Sequence, residues 1–349
     1  MRLEPIPAPS LARRLGLPLA ALTATALLAM GLAALAGAAP AEVAWLVLRG
    51  AVGSKFALLE TLNRATPLIF TGLAVAVAFR AKLWNIGAEA QLYLGAVVVV
   101  VLGTGMLPWP AATLLPVLAV VAMLAGAATL LVPTFLKTRF GVDEVVTTLL
   151  LNFVALLFVS YLLEGPLKDP MGMGWPKSPR LIPEARLPRL AEGLRLHWGF
   201  ALACIAAVVV WVIQTRTIWG YEMRTVGLNA RAARFAGMPV NMVLVRTAVL
   251  SGGLAALAGF SEVAGAKGSL TLDLSPGFGY TGIIVAMLAL LNPLGVVIAA
   301  IFVAGIFVGS DSMSRAAGVP TYIADILLAG SLLAMVLAIG LTRRRVVWR

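Results

Sequence analysis

Long apolar runs separated by short polar segments extend through the whole chain. A helix needs about 20 mostly apolar residues to cross the hydrocarbon core of a bilayer. This criterion predicts about ten spans, at residues 17–38, 65–80, 86–103, 111–132, 144–163, 198–213, 247–262, 280–291, 293–310 and 322–341. The run at 280–291 is short, so we expect a half-helix or a re-entrant segment there. The predicted fold class is all-α, a polytopic membrane protein with one transmembrane domain over residues 1–349.

Three polar or amphipathic stretches interrupt this pattern. Residues 42–64 are amphipathic and are expected to lie in the outer interface of the membrane. Residues 164–197 are expected to form an irregular outer loop, because prolines at this density prevent a helix; they are Pro166, Pro170, Pro176, Pro179, Pro183 and Pro188. Residues 214–246 form the third stretch. Its single acid is Glu222, and its arginines are Arg216, Arg224, Arg231, Arg234 and Arg246. We expect this third stretch to be a docking element for a partner.

Composition and charge agree with a membrane protein. The chain is 61% hydrophobic and 12% charged, with a mean hydropathy of +0.98, whereas a soluble domain has about twice that charged fraction. The net charge of +12 could indicate nucleic acid. However, the cations lie at the ends of the predicted spans, as the positive-inside rule expects. We therefore predict contact with a lipid bilayer and none with nucleic acid, and both termini on the cytoplasmic side.

Four polar residues lie within or at the start of predicted spans: Asn85, Glu89, Gln91 and Asn152. Asn85 and Glu89 are four residues apart and would share one helix face, with Gln91 to the side. A carboxylate costs about 2.5–3.5 kcal/mol at the centre of a span, so Glu89 must face a wet cavity or have a partner. Two interpretations stay open. These residues either brace neighbouring helices, which we weigh more heavily, or line a path for a substrate.

Catalytic chemistry has no support in the sequence. The single histidine, His197, lies in the outer loop, and the single cysteine, Cys204, lies within a predicted span. The sequence contains no HExxH motif, no cysteine cluster and no Walker A loop. We therefore expect no catalytic residue, no metal site and no cofactor bound by this chain. If ATP drives its function, ATP and Mg²⁺ must bind a separate ATPase chain.

Three segments resemble a known family. LWNIGAEAQLYLGA (83–96) resembles the NIG-EGQ signature of ABC-importer inner-membrane permeases of the branched-chain amino acid/ribose/nucleoside superfamily, with Ala90 where glycine is commonest. GLNARAARFAGM (227–238) resembles their cytoplasmic coupling segment, whose general pattern is Glu-Ala-Ala-x-x-x-Gly. Arg231 replaces the acid of that pattern. Residues 275–295, SPGFGYTGIIVAMLALLNPLG, also match the family plan, so the resemblance covers most of the chain.

This resemblance implies a function and a set of partners. It implies a coupling helix over 227–239 that docks on a cytoplasmic ABC ATPase, with the contact residues Gly227, Asn229, Ala232, Ala233 and Gly237. We expect Gly237 to provide a sharp exit from this helix at positive φ. It also implies a second permease subunit in a heterodimer, an extracytoplasmic substrate-binding protein and a bacterial cytoplasmic (inner) membrane. The first motif and the proline-rich loop look most like nucleoside permeases. The expected cargo is therefore a nucleoside or nucleobase.

Other functions stay open at this stage. A sugar or branched-chain amino acid permease would share the same framework. A proton-coupled secondary transporter could use Glu89 or Asp325, but it would need no ATPase and would leave the cationic segment 214–246 unexplained. A membrane enzyme would need a cluster of aspartates or histidines, since chemistry must be argued from a site, and the sequence contains no such cluster.

Overall fold

Helices dominate the computed structural model, which describes residues 2–5, 31, 40–190, 196–317, 329–330, 333–334 and 344–347. The helices are α1 (Pro40–Val52), α2 (Lys55–Arg80), α3 (Ala88–Gly103), α4 (Ala111–Phe140), α5 (Glu144–Glu164), α6 (Gly199–Arg216), α7 (Ile218–Leu228), α8 (Ala230–Phe235), α9 (Val240–Phe260), α10 (Phe278–Leu288) and α11 (Pro293–Ala317). A π-helical turn, Ser261–Lys267, continues α9. Two short strands, β1 (Arg2–Pro5) and β2 (Arg344–Val347), pair antiparallel with Leu3 opposite Val346.

Six of the described helices are long and apolar enough to cross a membrane: α2, α4, α5, α6, α9 with its π turn, and α11. Two shorter apolar helices, α3 and α10, have 16 and 11 residues. These eight match eight of the predicted spans, which confirms the polytopic all-α fold and the short segment at 280–291. The predicted spans at 17–38 and 322–341 lie almost entirely outside the described residues.

The predicted start of the second span is wrong by ten residues. Helix α2 begins at Lys55 and not at residue 65, so the stretch 42–64 is divided between α1 and the first turns of α2. The amphipathic pattern of 42–64 did not show this break. The physical cause is the short non-helical turn at Gly53-Ser54, where the Ser54 hydroxyl accepts a hydrogen bond from the N–H of Ala57 at 3.0 Å.

The chain forms two compact units, one of residues 1–61 with 301–349 and one of residues 62–300. In the first unit, the Thr61 hydroxyl donates to the carbonyl oxygen of Ala51 at 2.8 Å. In the second, α3, α4 and α9 form the core. Gly126 of α4 lies so close to Gly252 of α9 that a methyl group on either residue would overlap the other backbone. Small residues therefore bring these helices together, as is common in membranes.

The proline-rich loop is ordered and irregular in the part that the structure describes. Apart from a 3₁₀ turn at Pro183–Ala185, residues 165–190 are not helical. The backbone N–H groups of Ser178 and Leu181 donate to the carbonyl oxygens of Leu270 and Gly268, each at 2.9 Å. The N–H of Leu187 donates to the carbonyl of Ala264 at 2.8 Å. The loop is therefore fixed on the π turn of α9 and on the segment that follows it.

Candidate functional site

The first candidate region surrounds the start of α3. Asn85 lies in the turn before this helix and is fully buried. Its amide exchanges two hydrogen bonds with the amide of Gln91, at 3.0 and 2.9 Å. The same Asn85 side chain donates to the Ser251 hydroxyl at 3.0 Å, and Ser251 donates to the carbonyl of Ala74 at 2.7 Å. Asn85 thus ties α3 to α9 and α2.

The predicted helix face shared by Asn85 and Glu89 is wrong. The i, i+4 rule applies only within a helix, and α3 begins at Ala88, after Asn85. The turn directs the Asn85 side chain to Gln91, the residue that the helical pattern had set apart.

Asn152 of α5 supports the same helix from the other side. Its Oδ1 accepts from the N–H of Ala90 at 2.9 Å, and its Nδ2 donates to the carbonyl of Ile86 at 2.9 Å. The N–H groups in the first turn of a helix have no partner within the helix. Asn152 therefore acts as a cap on α3 that comes from a neighbouring helix.

Glu89 joins α3 to the short helix α10. Its side chain is 3% exposed, and its Oε2 accepts from the N–H of Gly279 at 2.6 Å. Gly279 is in the first turn of α10, where the helix dipole favours a negative charge. Within the same turn, the Ser275 hydroxyl accepts from the N–H of Phe278 at 2.8 Å. The start of α10 is thus capped by two side chains, one of them 190 residues away in sequence.

The structure brings the four predicted residues together around the start of α3, and each has a protein partner. It also adds two residues that the sequence did not single out. Ser251 is one. Tyr93 is the other, and its hydroxyl donates to the carbonyl of Leu272 at 2.6 Å. The only sequence signal for Tyr93 was a phenol inside an apolar run, which needs a partner when buried.

The second candidate region is the cationic stretch 214–246. It contains two helices, α7 and α8, separated at Asn229. The Asn229 Oδ1 accepts from the N–H groups of Arg231 and Ala232 at 3.0 and 3.1 Å, which is the N-cap arrangement. The single helix predicted over 227–239 is therefore too long. An N-cap residue has extended backbone angles, so it ends one helix and begins another.

Backbone contacts fix the chain just before and just after α8. Gly227 lies against the carbonyl oxygen of Arg80, with no room for a side chain. Gly237 has φ +82°, and the N–H of Met238 donates back to the carbonyl of Ala233 at 3.0 Å. The predicted exit at positive φ is confirmed, and glycine is the residue that adopts it most easily. Ala233 is buried, whereas Ala232 is exposed.

Within and directly before α8, this stretch exposes large apolar side chains and cations. Leu228 is 83% exposed and Phe235 is 97% exposed. Arg231 and Arg234 are also exposed. We call these four residues the α8 surface.

Two of the other arginines have partners within the chain. Arg246 lies 3.6 Å from Glu222 and stacks over Trp219. Arg224 donates to the carbonyl of Gln214. These contacts hold α7 on the helices beside it.

No group of three or more histidine, cysteine, aspartate or glutamate side chains that could hold a metal occurs among the described residues. His197 is buried where the proline-rich loop meets α6, and its Nδ1 accepts from the N–H of Gly199 at 3.1 Å. Burial lowers the pKa of His197 to about 4. The imidazole is therefore neutral at physiological pH and has a structural role.

Comparison with known proteins gives the family. Residues 57–336 match the family described as branched-chain amino acid transport system / permease component. The glucose ABC transporter permease protein TsgB13 of Haloferax volcanii is 39% identical over 306 residues, covering 84% of this chain and 79% of that protein. Two guanosine ABC transporter permease proteins of Bacillus subtilis are also similar. NupP is 36% identical (80% of this chain, 81% of NupP), and NupQ is 27% identical (69% of this chain, 77% of NupQ).

The family match covers most of α2, all of α3–α11 and both candidate regions. The match agrees with the apolar helices and with the two sequence motifs described above, residues 83–96 at the start of α3 and residues 227–238 around α8. The chain belongs to the family of branched-chain amino acid transport system permease components and is a multi-pass membrane permease subunit of an ABC transporter.

Proposed function

We propose that this permease moves a nucleoside or nucleobase inward across a bacterial cytoplasmic membrane, driven by ATP hydrolysis on a separate subunit. The α8 surface is the single observation on which the proposal depends. The short capped helix α8 exposes Phe235, and the end of α7 directly before it exposes Leu228. Exposed apolar groups next to cations favour a protein partner. A nucleoside cargo is favoured by the similarity to the two guanosine permeases.

The partners follow from this assignment. A cytoplasmic ATPase, which binds ATP and Mg²⁺, would contact the α8 surface. A second permease subunit would form a heterodimer with this chain, since Bacillus subtilis has two similar guanosine permease proteins, NupP and NupQ. An extracytoplasmic binding protein would deliver the solute. This chain itself would bind no cofactor.

Closure of the ATPase would be transmitted by rigid connections. Asn229 caps α8 and Gly227 packs directly on the end of α2, so a displacement of α8 is passed to the transmembrane helices without a flexible linker. Rigid-body motion of this kind produces alternating access.

The residues around α3 would shape the substrate path by bracing it. Asn85, Gln91 and Asn152 fix the start of α3, and Glu89 fixes the start of α10. Glu89→Gln should lower uptake while the ATPase still assembles with the permease, because an amide oxygen can accept from Gly279 but lacks the charge that favours the helix dipole. Unchanged uptake would leave Glu89 with a packing role alone.

The coupling assignment is tested by Gly237→Val and Ala233→Asp. A β-branched side chain tolerates positive φ poorly, and a carboxylate does not fit the buried site of Ala233. Both variants should lose substrate-stimulated ATP hydrolysis and uptake while membrane insertion stays normal. Ala232→Ser, at the exposed neighbouring position, is the matched control. Transport at the wild-type rate in both variants would place the docking surface elsewhere.

The orientation of the chain has its own test. With the cytoplasmic ATPase on the α8 surface, Ala230→Cys in a Cys204→Ser background should resist membrane-impermeant thiol reagents in intact cells. It should react after the cells are opened. Efficient labelling from outside would reverse the proposed topology.

A sugar is the second candidate cargo, because TsgB13, a glucose permease protein, is 39% identical. Competition for uptake separates the two. Excess unlabelled guanosine should abolish uptake of labelled nucleoside, and excess glucose should leave it unchanged. Competition by glucose and none by guanosine would indicate that the cargo is a sugar.

A further inference from the structure

A cavity of about 410 Å³ lies beside α8, within the unit of residues 62–300. Its walls are the turn between α2 and α3, the end of α4, the start of α9 and the connection between α7 and α8. Lys82, Trp84 and Lys137 line it, and the segment 227–230 closes one side. This volume is in the range of small-ligand sites. Leu228 of the α8 surface lies at its edge, but Lys82, Trp84 and Lys137 have no part in the proposed contact with the ATPase.

The cavity has an excess of positive charge. Lys137 pairs with Glu144, whose Oε1 also accepts from the N–H of Trp84 at 3.3 Å. Lys82 is exposed, and no ion pair is recorded for it within the described part of the chain. Its backbone has φ +53°, which few non-glycine residues adopt, and a bond from its N–H to the carbonyl of Phe79 at 3.1 Å holds this turn. Two lysines against one carboxylate favour an anion.

The cavity is located where apolar helices end. Helix α2 ends at Arg80, α4 ends at Phe140 and α5 begins at Glu144. Helix α4, which contributes Lys137 to the cavity, and helix α5, which begins with its partner Glu144, expose Phe135, Phe140 and Val146 near these ends. Exposed apolar side chains on transmembrane helices favour contact with lipid acyl chains, because these chains are the apolar solvent around such helices.

Trp84 gives a second indication of membrane depth. Its ring packs edge-on against Phe79, with ring centroids 4.6 Å apart, and the residue also lines the cavity. Tryptophan with one apolar side and one polar side is typical of the headgroup region of a bilayer.

We propose that the cavity binds the phosphate headgroup of an anionic phospholipid. The phosphate oxygens lie between the ammonium groups of Lys82 and Lys137, and the acyl chains lie on the exposed apolar faces of α4 and α5. Basic pockets between transmembrane helices bind anionic headgroups in this manner. A free phosphate would satisfy the same lysines but would gain nothing from the apolar faces.

Such a lipid would contact both the transmembrane helices and the connection before α8. The segment 227–230 forms part of the cavity wall and includes Asn229, the cap of α8. A bound headgroup therefore stabilises the position of α8 against the end of α2. This consequence rests on the proposed function, whereas binding itself needs no transport and can be measured separately.

The experiment uses the full-length chain, purified in a neutral detergent and depleted of lipid. The probes are dioctanoyl phosphatidylglycerol, dioctanoyl phosphatidylcholine and inorganic phosphate, and binding is measured by native mass spectrometry and by the rise in melting temperature. We expect saturable binding of one phosphatidylglycerol. Lys82→Gln should weaken it about fivefold, as expected for loss of one cation near anionic lipid.

Two further variants make the result specific. Arg139→Gln removes a cation at the end of the same helix as Lys137 but outside the cavity, and it should bind the lipid as the wild type does. Ala230→Trp fills the cavity without changing charge and should abolish binding. Both should melt like the wild type without lipid.

Four results would overturn the proposal. Phosphatidylcholine could bind as tightly as phosphatidylglycerol, or inorganic phosphate could compete with it on equal terms, which would make the site one for a free anion. Lys82→Gln and Arg139→Gln could weaken binding equally, which would indicate diffuse attraction. Finally, Ala230→Trp could leave binding unchanged.

Discussion

The polar residues around the start of α3 and the α8 surface are both unusual for an apolar chain. The first group is buried and hydrogen-bonded, whereas the second is exposed to solvent. Asn85, Gln91 and Asn152 are buried, and each amide bonds to other parts of the chain. Phe235, in contrast, is almost fully exposed on a helix of six residues. Satisfied polar groups indicate a role inside the subunit, and exposed apolar groups indicate a partner outside it.

This contrast changes how an intramembrane polar residue is interpreted. A polar group within a span is a functional hypothesis by default. Here the hydrogen bonds of Asn152 and Glu89 end on helix termini, at the N–H groups of Ala90 and Gly279. The N-cap residues of α3 and α10 make no side-chain cap bond. Asn152 supplies this contact for α3, and Glu89 supplies it for α10 together with the nearby Ser275.

The largest effect is expected for Asn152→Leu. Leucine keeps the volume but leaves the N–H of Ala90 and the carbonyl of Ile86 without partners, which should lower the free energy of unfolding by about 4 kcal/mol. The melting temperature in detergent measures this change. Phe153→Leu, at the neighbouring exposed position, should have little effect. Normal melting with lost uptake would assign Asn152 to the substrate path and break the comparison.

The next effect concerns pH. His197 is neutral when folded, because burial lowers its pKa to about 4 from the usual 6.5. Its contribution to stability is therefore complete above pH 6.5 and is lost as pH falls towards 4. The loss should reach about 3 kcal/mol at pH 4.

Melting temperatures of the wild type and His197→Gln between pH 7.5 and 4 test this. As the pH falls, the melting temperature of the variant should fall less than that of the wild type, because glutamine does not take up a proton. Parallel curves for the two proteins would show that His197 has the same pKa in the folded and unfolded states.

A smaller energy but a clear functional loss is expected for Phe235→Asp. An exposed aromatic anchor at an interface contributes about 2 kcal/mol to binding, so ATPase affinity should fall about 30-fold. Co-purification and uptake measure the loss, and the permease should melt normally because Phe235 has no buried contact. Phe235→Leu should retain most binding. Full ATPase binding by the aspartate variant would show that the ATPase does not contact the α8 surface.

The smallest effect is expected for Glu222→Gln. Its pair with Arg246 has an N–O distance of 3.6 Å, and the Arg246 side chain is partly exposed. Such pairs contribute less than about 1 kcal/mol, and Arg246 keeps its contact with Trp219. Melting and uptake should both stay near wild type. A large loss of uptake would extend the docking surface from α8 to α7.

The sequence predicted features that depend on local periodicity and on single residues with special backbone angles. The apolar spans and the left-handed exit at Gly237 are examples. The break at Asn229 was available from the sequence, because asparagine before helix-forming residues is a typical N-cap. It was missed because the segment 227–238 resembled a continuous family motif.

The partners of the polar residues could not be predicted in the same way. Asn85 bonds Ser251 and Glu89 bonds Gly279, residues 166 and 190 positions away. Such pairs depend on how helices pack and not on the local pattern. Ser251 lies within an apolar run and Gly279 directly before one, and neither has a feature that marks it as the partner of a distant side chain.

The bond between Glu89 and Gly279 has a consequence for biosynthesis. Ribosomes add roughly 5–20 residues per second, so the 190 positions between the two residues take about 10–40 s to translate. Throughout that interval the Glu89 carboxylate is already made, but the start of α10 does not yet exist. The nascent α3 therefore lacks this contact during that interval, and the permease can complete this part of its core only after most of the chain has been synthesised.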